Sequence, residues 1–104
     1  MNIIVLGAGA FGTAIANELS VNTVNKVLLY SRNKKKVDEI NNYNTNTACF
    51  PNKRLTKNLY ATNDSNSISS AEIILIALPS NVVMDSLSSL RPYFNKDVLL
   101  VNLS

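Results

Sequence analysis

Three stretches of this 104-residue chain could do chemistry. The first is Gly7-Ala8-Gly9-Ala10-Phe11-Gly12, a G-x-G-x-x-G. In such a turn Gly7 permits a sharp reversal, Gly9 lets backbone approach a diphosphate where a Cβ would collide, and Gly12 allows a helix to pack closely on a strand. A helix opening there aims unpaired N–H groups, with its positive dipole end behind them, at the anion. Phe11 is either a core residue or an aromatic wall for the ligand. The second stretch is Tyr30-Ser31-Arg32-Asn33, about 20 residues on, where an NAD-specific site carries an acid for the adenosine ribose. Ser31 and Arg32 stand there instead, followed by Lys34, Lys35 and Lys36. An arginine can pair with a 2′-phosphate through a charge-assisted contact of about 1.5–3 kcal/mol. NADPH is therefore expected to bind at least as well as NADH. Lys35 and Lys36 read as a solvated face. The third stretch is Ala77-Leu78-Pro79-Ser80-Asn81, at a strand end of the kind that lines a ligand crevice. Ser80 reads equally as a helix cap and as a crevice residue.

The elements that must position these residues are legible around them. Asn2 to Leu6 is a short unbroken apolar run, which suits a parallel strand covered on both faces. Phe11 to Ser20 has Phe11, Ala14, Ile15 and Leu19 at helical spacing, the expected buried face. Lys26 to Tyr30 is a second strand. Asn33 is the expected N-cap of a helix running to about Tyr43, with Val37 and Ile40 facing inward. From Asn41 to Asn58 no steady period persists; this Asn- and Thr-rich segment with Pro51 reads as a long ordered loop. Leu59 to Thr62 is a short strand, and Asp64 caps a brief helix containing Ile68. Glu72 to Leu78 is the strongest strand and is expected to be central. Ser80 opens a helix carrying Val83, Leu87 and Leu90, ending near Arg91-Pro92. Asp97 to Leu103 is a last strand. Strands alternating with helices predict an α/β fold with parallel pairing through right-handed crossovers.

Composition narrows the function. The chain has no His and one Cys, so Cys/His zinc sites, a Ser-His-Asp triad and an internal disulfide are excluded within it. The longest apolar run falls far short of the roughly 20 residues of a membrane span. No cationic segment precedes an apolar stretch at the start, which argues against a secretory signal and for the cytoplasm. The net charge of +3 comes from scattered Lys and Arg, a pattern that fits an anionic small molecule better than a nucleic acid. Cys49 reads as a reduced, unreactive loop thiol with no charged partner beside it.

In combination these residues resemble the bacterial-type NAD(P)-dependent glycerol-3-phosphate dehydrogenases. The resemblance is carried by Gly7 to Ala14, Ser31-Arg32, Val37 to Asn41 with its Ile-Asn, Asn46 and Phe50-Pro51. It continues through Leu55, Asn58-Leu59, Ala61-Thr62 and Asp64, which match L-x-x-N-L-x-A-T-x-D. Ala77 to Ser80 and Val101 to Ser104 complete it, so it spans essentially the whole chain. It implies a Rossmann-type doubly wound parallel sheet of strand order 3-2-1-4-5, with NADP or NAD as cofactor. The implied reaction is reversible hydride transfer between nicotinamide and C2 of glycerol 3-phosphate, giving dihydroxyacetone phosphate for phospholipid synthesis. Ala10, Phe11 and Arg32 fall where the family contacts cofactor, and Cys49 falls at a usually aromatic position near it. The implied cofactor set is Gly7, Gly9, Ala10, Phe11, Gly12, Ser31, Arg32, Cys49, Pro79 and Ser80.

The departures are Ala10 for Ser, Asn81 for Gln, Asn52 for Gly and Cys49 for Tyr or Phe. The family's catalytic lysines fall after Ser104 and in an α-helical C-terminal domain, so no catalytic residue is assigned here. Residues 1–104 are thus expected to be an incomplete NAD(P)-binding domain that binds dinucleotide weakly and turns over no substrate alone. A homodimer of the full-length protein is compatible with the resemblance. Two other readings stay open. A ketopantoate or 6-phosphogluconate type dehydrogenase shares the glycine turn, but Ile40-Asn41 and the Asn58 to Asp64 block count against it. A non-catalytic nucleotide-sensing module usually keeps the acid after the second strand.

Overall fold

The Asn-Ile-Ile-Val-Leu run Asn2–Leu6 forms strand β1 of a computed structural model that describes residues 1–103. On one side lie β2 (Lys26–Tyr30) and β3 (Tyr60–Thr62); on the other lie β4 (Ile73–Ile76) and β5 (Leu99–Asn102). The order is β3-β2-β1-β4-β5, all pairs parallel, as the resemblance implies. β1 holds the middle, and β4 lies inside between β1 and β5.

The alternation of strand side chains divides the core in two. Ile3, Val5, Val27 and Leu29 pack on one face with Val37 and Ile40 of α2 (Lys34–Tyr43) and with Ala16 of α1 (Ala10–Val21). Ile4, Leu6, Ile74 and Ile76 pack on the other with Ile68 and with Val83 and Leu90 of α3 (Val83–Leu90). Leu6 pairs in register with both Tyr30 and Ile76. Three strands therefore end level, and Gly7, Ser31 and Ala77 begin one common rim.

Several expectations shift. The buried residues of α1 are Gly12, Thr13, Ala16 and Ser20, not the Phe11–Ala14–Ile15–Leu19 stripe. A Cβ at Gly12 would overlap the Gly7 carbonyl oxygen and sit 3.3 Å from Ala77 Cβ. The helix lies too near the sheet for large side chains, so small residues face inward and Ile15 and Leu19 flank them half-buried. Ser20 meets its own need by donating to the Ala16 carbonyl at 2.8 Å. The brief helix around Ile68 is a 3₁₀ helix, Ser65–Ser70, capped by Asp64. A 3₁₀ turn, Ser80–Val82, leads into α3, and no side chain caps either element. Ser80 is therefore not a cap: the Val82 N–H instead bonds the Pro79 carbonyl at 3.0 Å.

Asn41 closes the open edge of β3: its amide donates to Ala61 O at 2.9 Å and its Oδ1 accepts the Ala61 N–H at 2.8 Å. The segment between α2 and β3 is ordered by turns. It starts at Asn44, which caps α2 in the left-handed region at φ 57°. No helix among the described residues is long and apolar enough to cross a membrane.

Candidate functional site

The rim where β1, β2 and β4 end opens into a cleft of about 590 Å³. Its floor is the Gly7–Phe11 turn, one wall is Tyr30, Ser31 and Arg32, and the other is Ala77 to Pro79 with Val82, Ser86 and Leu90. Of the sequence-derived set, Gly7, Gly9, Ala10, Phe11, Ser31, Arg32 and Pro79 line this cleft together. Gly12 lies beneath the turn, and Ser80 is exposed beyond the lining. Cys49 sits off the cleft behind the turn, its Sγ 3.9 Å from both Ala8 O and Lys36 Nζ. The thiol thus has a cationic neighbour, which sequence reading did not foresee. Ser104 lies outside the described residues.

The three glycines answer to different demands. Gly7 has φ +111°, and a Cβ there would lie 2.6 Å from Ala77 O. Gly12 is forced by the close helix described above. A Cβ at Gly9, by contrast, would meet nothing within 4 Å. Nothing among the described residues requires a glycine there, so the bare backbone leaves room for a ligand. Gly9 is the N-cap of α1 and supplies no side-chain cap. The first helical bond is Thr13 N to Gly9 O at 3.0 Å, which leaves the Ala10, Phe11 and Gly12 amides without a helical acceptor. An uncapped helix N-terminus beneath open space fits a diphosphate. Phe11 is 55% exposed on this floor, so it is a wall residue rather than core.

Arg32 crosses to α3, where Nη2 donates to Ser89 Oγ at 2.9 Å. Its partner is a neutral hydroxyl, and the one ion pair among the described residues is Lys34–Asp38. The guanidinium charge is therefore uncompensated at the cleft edge, as an additional phosphate would require. Lys36 is not on a solvated face: it is half-buried and its Nζ donates to Ala8 O at 3.1 Å. Behind the turn, fully buried Asn46 donates from Nδ2 to Ala8 O at 3.1 Å and to Thr13 Oγ1 at 3.0 Å, while its Oδ1 has no partner. Sequence reasoning missed Thr13, Lys36 and Asn46 as parts of the site. Their polarity at inward positions of α1, α2 and the loop was the available signal. Among the described residues, no cluster of His, Cys, Asp or Glu could hold a metal ion.

Comparison with known proteins decides the family. The model for the N-terminus of NAD-dependent glycerol-3-phosphate dehydrogenase matches residues 2–104. This chain belongs to that family. A glycerol-3-phosphate dehydrogenase (NAD(P)+) of Neorickettsia sennetsu is 36% identical over 101 residues, covering 97% of this chain and 30% of the relative. One from Leuconostoc mesenteroides is 39% identical over 95 residues, covering 90% of this chain and 28% of that one. The crystal structure of glycerol-3-phosphate dehydrogenase from Coxiella burnetii superposes with a TM-score of 0.85 at 28% identity, covering 97% of this chain and 31% of that one. The chain thus spans about 30% of the length of the curated relatives it matches. Within this dehydrogenase family the block from Ile40-Asn41 to Asp64 has a structural reading: Asn41 and Ala61 are joined, and Leu55 and Leu59 are core.

Proposed function

We propose that residues 1–104 form the dinucleotide-binding part of a glycerol-3-phosphate dehydrogenase, and that the substrate-handling part corresponds to sequence its relatives carry beyond this span. The observation that supports this best is Gly9: an uncapped helix start with open space above it, in a chain of this family. When bound, the nicotinamide supplies the hydride exchanged with C2 of glycerol 3-phosphate or dihydroxyacetone phosphate. This chain's residues bind and orient. The Gly9 to Gly12 amides receive the diphosphate, Phe11 walls it, and Ser31 and Arg32 meet the adenosine ribose and its 2′-phosphate. Pro79 borders the opposite side. Gly7 and Gly12 shape the turn, while Ser80 and Cys49 stand one step away from the ligand. The acid and base work of the reaction is assigned to the part of the relatives' length that lies beyond this span. A cytoplasmic location and a homodimer of the whole protein accord with the family and complete this reading.

The test is titration of NADPH and NADH into the chain, followed by nicotinamide fluorescence. NADPH should bind at least as tightly as NADH. Arg32→Ala should cost NADPH about 10- to 100-fold and NADH little. Clear NADH preference in the unaltered chain would overturn the assignment of Arg32.

A further inference from the structure

The bonds behind the glycine turn have a directional consequence. We infer that Asn46 and Lys36 are positioning residues for the diphosphate: they hold the Ala8 carbonyl from behind and so turn the Gly9 N–H into the cleft. This rests on the dinucleotide reading above. The Ala8–Gly9 peptide is trans, as are all the described peptides. In a trans peptide the C=O and the next N–H point in opposite directions, so whatever fixes one fixes the other. Ala8 O accepts from Asn46 Nδ2 at 3.1 Å and from Lys36 Nζ at 3.1 Å, and neither donor lines the cleft. The Gly9 N–H therefore faces the cleft side, and it has no acceptor among the described residues. Asn46 also ties this peptide to the helix. The same Nδ2 donates to Thr13 Oγ1 at 3.0 Å, and the Thr13 N–H closes on Gly9 O at 3.0 Å.

Asn46 could not serve turned over, because its oxygen would then face the Ala8 oxygen. The orientation present leaves the buried Oδ1 bare, so two donated bonds are kept at the expense of one unmet acceptor. Its neighbours hold it in place from both sides. Glu39 Oε2 accepts Thr45 Oγ1 at 2.7 Å and the Thr47 N–H at 2.9 Å, and the Phe50 N–H bonds Asn46 O at 2.8 Å. Lys36 adds a positive charge directly behind the anion's seat, half-buried and so less screened than a surface lysine.

The experiment compares two ligands on the same variants of the chain: NADPH, which has a diphosphate, and adenosine 2′-monophosphate, which does not. Lys36→Met keeps the stem and removes the donor. It should weaken NADPH about tenfold and leave the monophosphate nearly unchanged. Lys36→Arg should restore most of the loss. Exposed Lys35→Met makes the same charge change without the carbonyl contact and should cost far less. Asn46→Ala should show the same ligand selectivity, whatever it does to the thermal midpoint. Equal loss on both ligands, no loss in Lys36→Met, or equal effects at Lys35 and Lys36 would overturn the inference while leaving the dinucleotide reading intact. An unaltered chain that binds neither ligand would sink both.

Discussion

Two β-to-α turns lie side by side on the same rim, and they finish their helices in opposite ways. After β2, Asn33 Oδ1 accepts the Lys35 N–H at 3.1 Å and the Lys36 N–H at 3.2 Å, and Ser31 Oγ accepts the Asn33 N–H at 3.1 Å. Three of that helix's first donors are thus met by side chains of its own turn. After β1, no side chain caps α1 and its first amides stay open. Strand ends in register thus produce one closed turn and one open turn, and the open one is where backbone donors are left for an anion. At the closed turn the protein contributes charge through Arg32 rather than backbone. The difference teaches that the missing cap, as much as the glycines, marks the site.

Four changes would break or sharpen this contrast. The largest effect is expected from Gly12→Ala, whose Cβ would overlap the Gly7 oxygen. It should destabilise the chain by about 3 kcal/mol or more, read as the urea midpoint. An unchanged midpoint would mean that close packing does not hold the turn open. Next is Gly9→Asp, which gives α1 the cap that α2 has. The backbone there is extended (φ −73°, ψ −173°) and the space is free, so stability should move by only about 0.5 kcal/mol. NADPH affinity should fall more than about 100-fold as a carboxylate occupies the anion's place; calorimetry showing retained affinity would refute the open-turn assignment. Asn33→Ala removes the closed turn's cap and should cost about 1 kcal/mol in thermal or urea unfolding while barely changing NADPH binding. The smallest effect concerns Glu39. Its hydrogen bonds from Thr45 and then Thr47 hold the carboxyl below the usual glutamate range. Its contribution is present above the unfolded pKa and is lost as pH falls through the lower folded one. Unfolding midpoints should therefore drop slightly more below about pH 4 in the native chain than in Glu39→Gln.

The sequence made the scaffold legible where chemistry is local. Unbroken apolar runs gave β1, β2 and β4, Asn33 announced α2, and the glycine spacing located the cleft floor. What stayed hidden depends on distance. Hydrophobic periodicity favours large side chains, so it rotated the buried face of α1 toward Phe11 and Leu19. Only the approach at Gly12 reveals that small residues belong inside. Asn46 lies in an Asn-rich loop with no period, and its partners Ala8 and Thr13 are 38 and 33 residues away. Other asparagines are tied as specifically: Asn33 caps a helix, Asn41 completes a sheet edge, and Asn17 Oδ1 accepts the Thr56 N–H at 2.7 Å. Ser80 is no cap because the chain enters α3 through a 3₁₀ turn that starts one residue earlier, at Pro79.

The bond from Arg32 to Ser89 has a thermodynamic corollary. A long cationic side chain forfeits up to about 2 kcal/mol of rotamer freedom when it grips an anion. Here the Ser89 hydroxyl of α3 parks the guanidinium at the cleft edge beforehand, so an arriving phosphate would exchange a neutral acceptor for a charged one instead of ordering a loose chain. Ser89→Ala should accordingly slow the association of NADPH more than it hastens its departure.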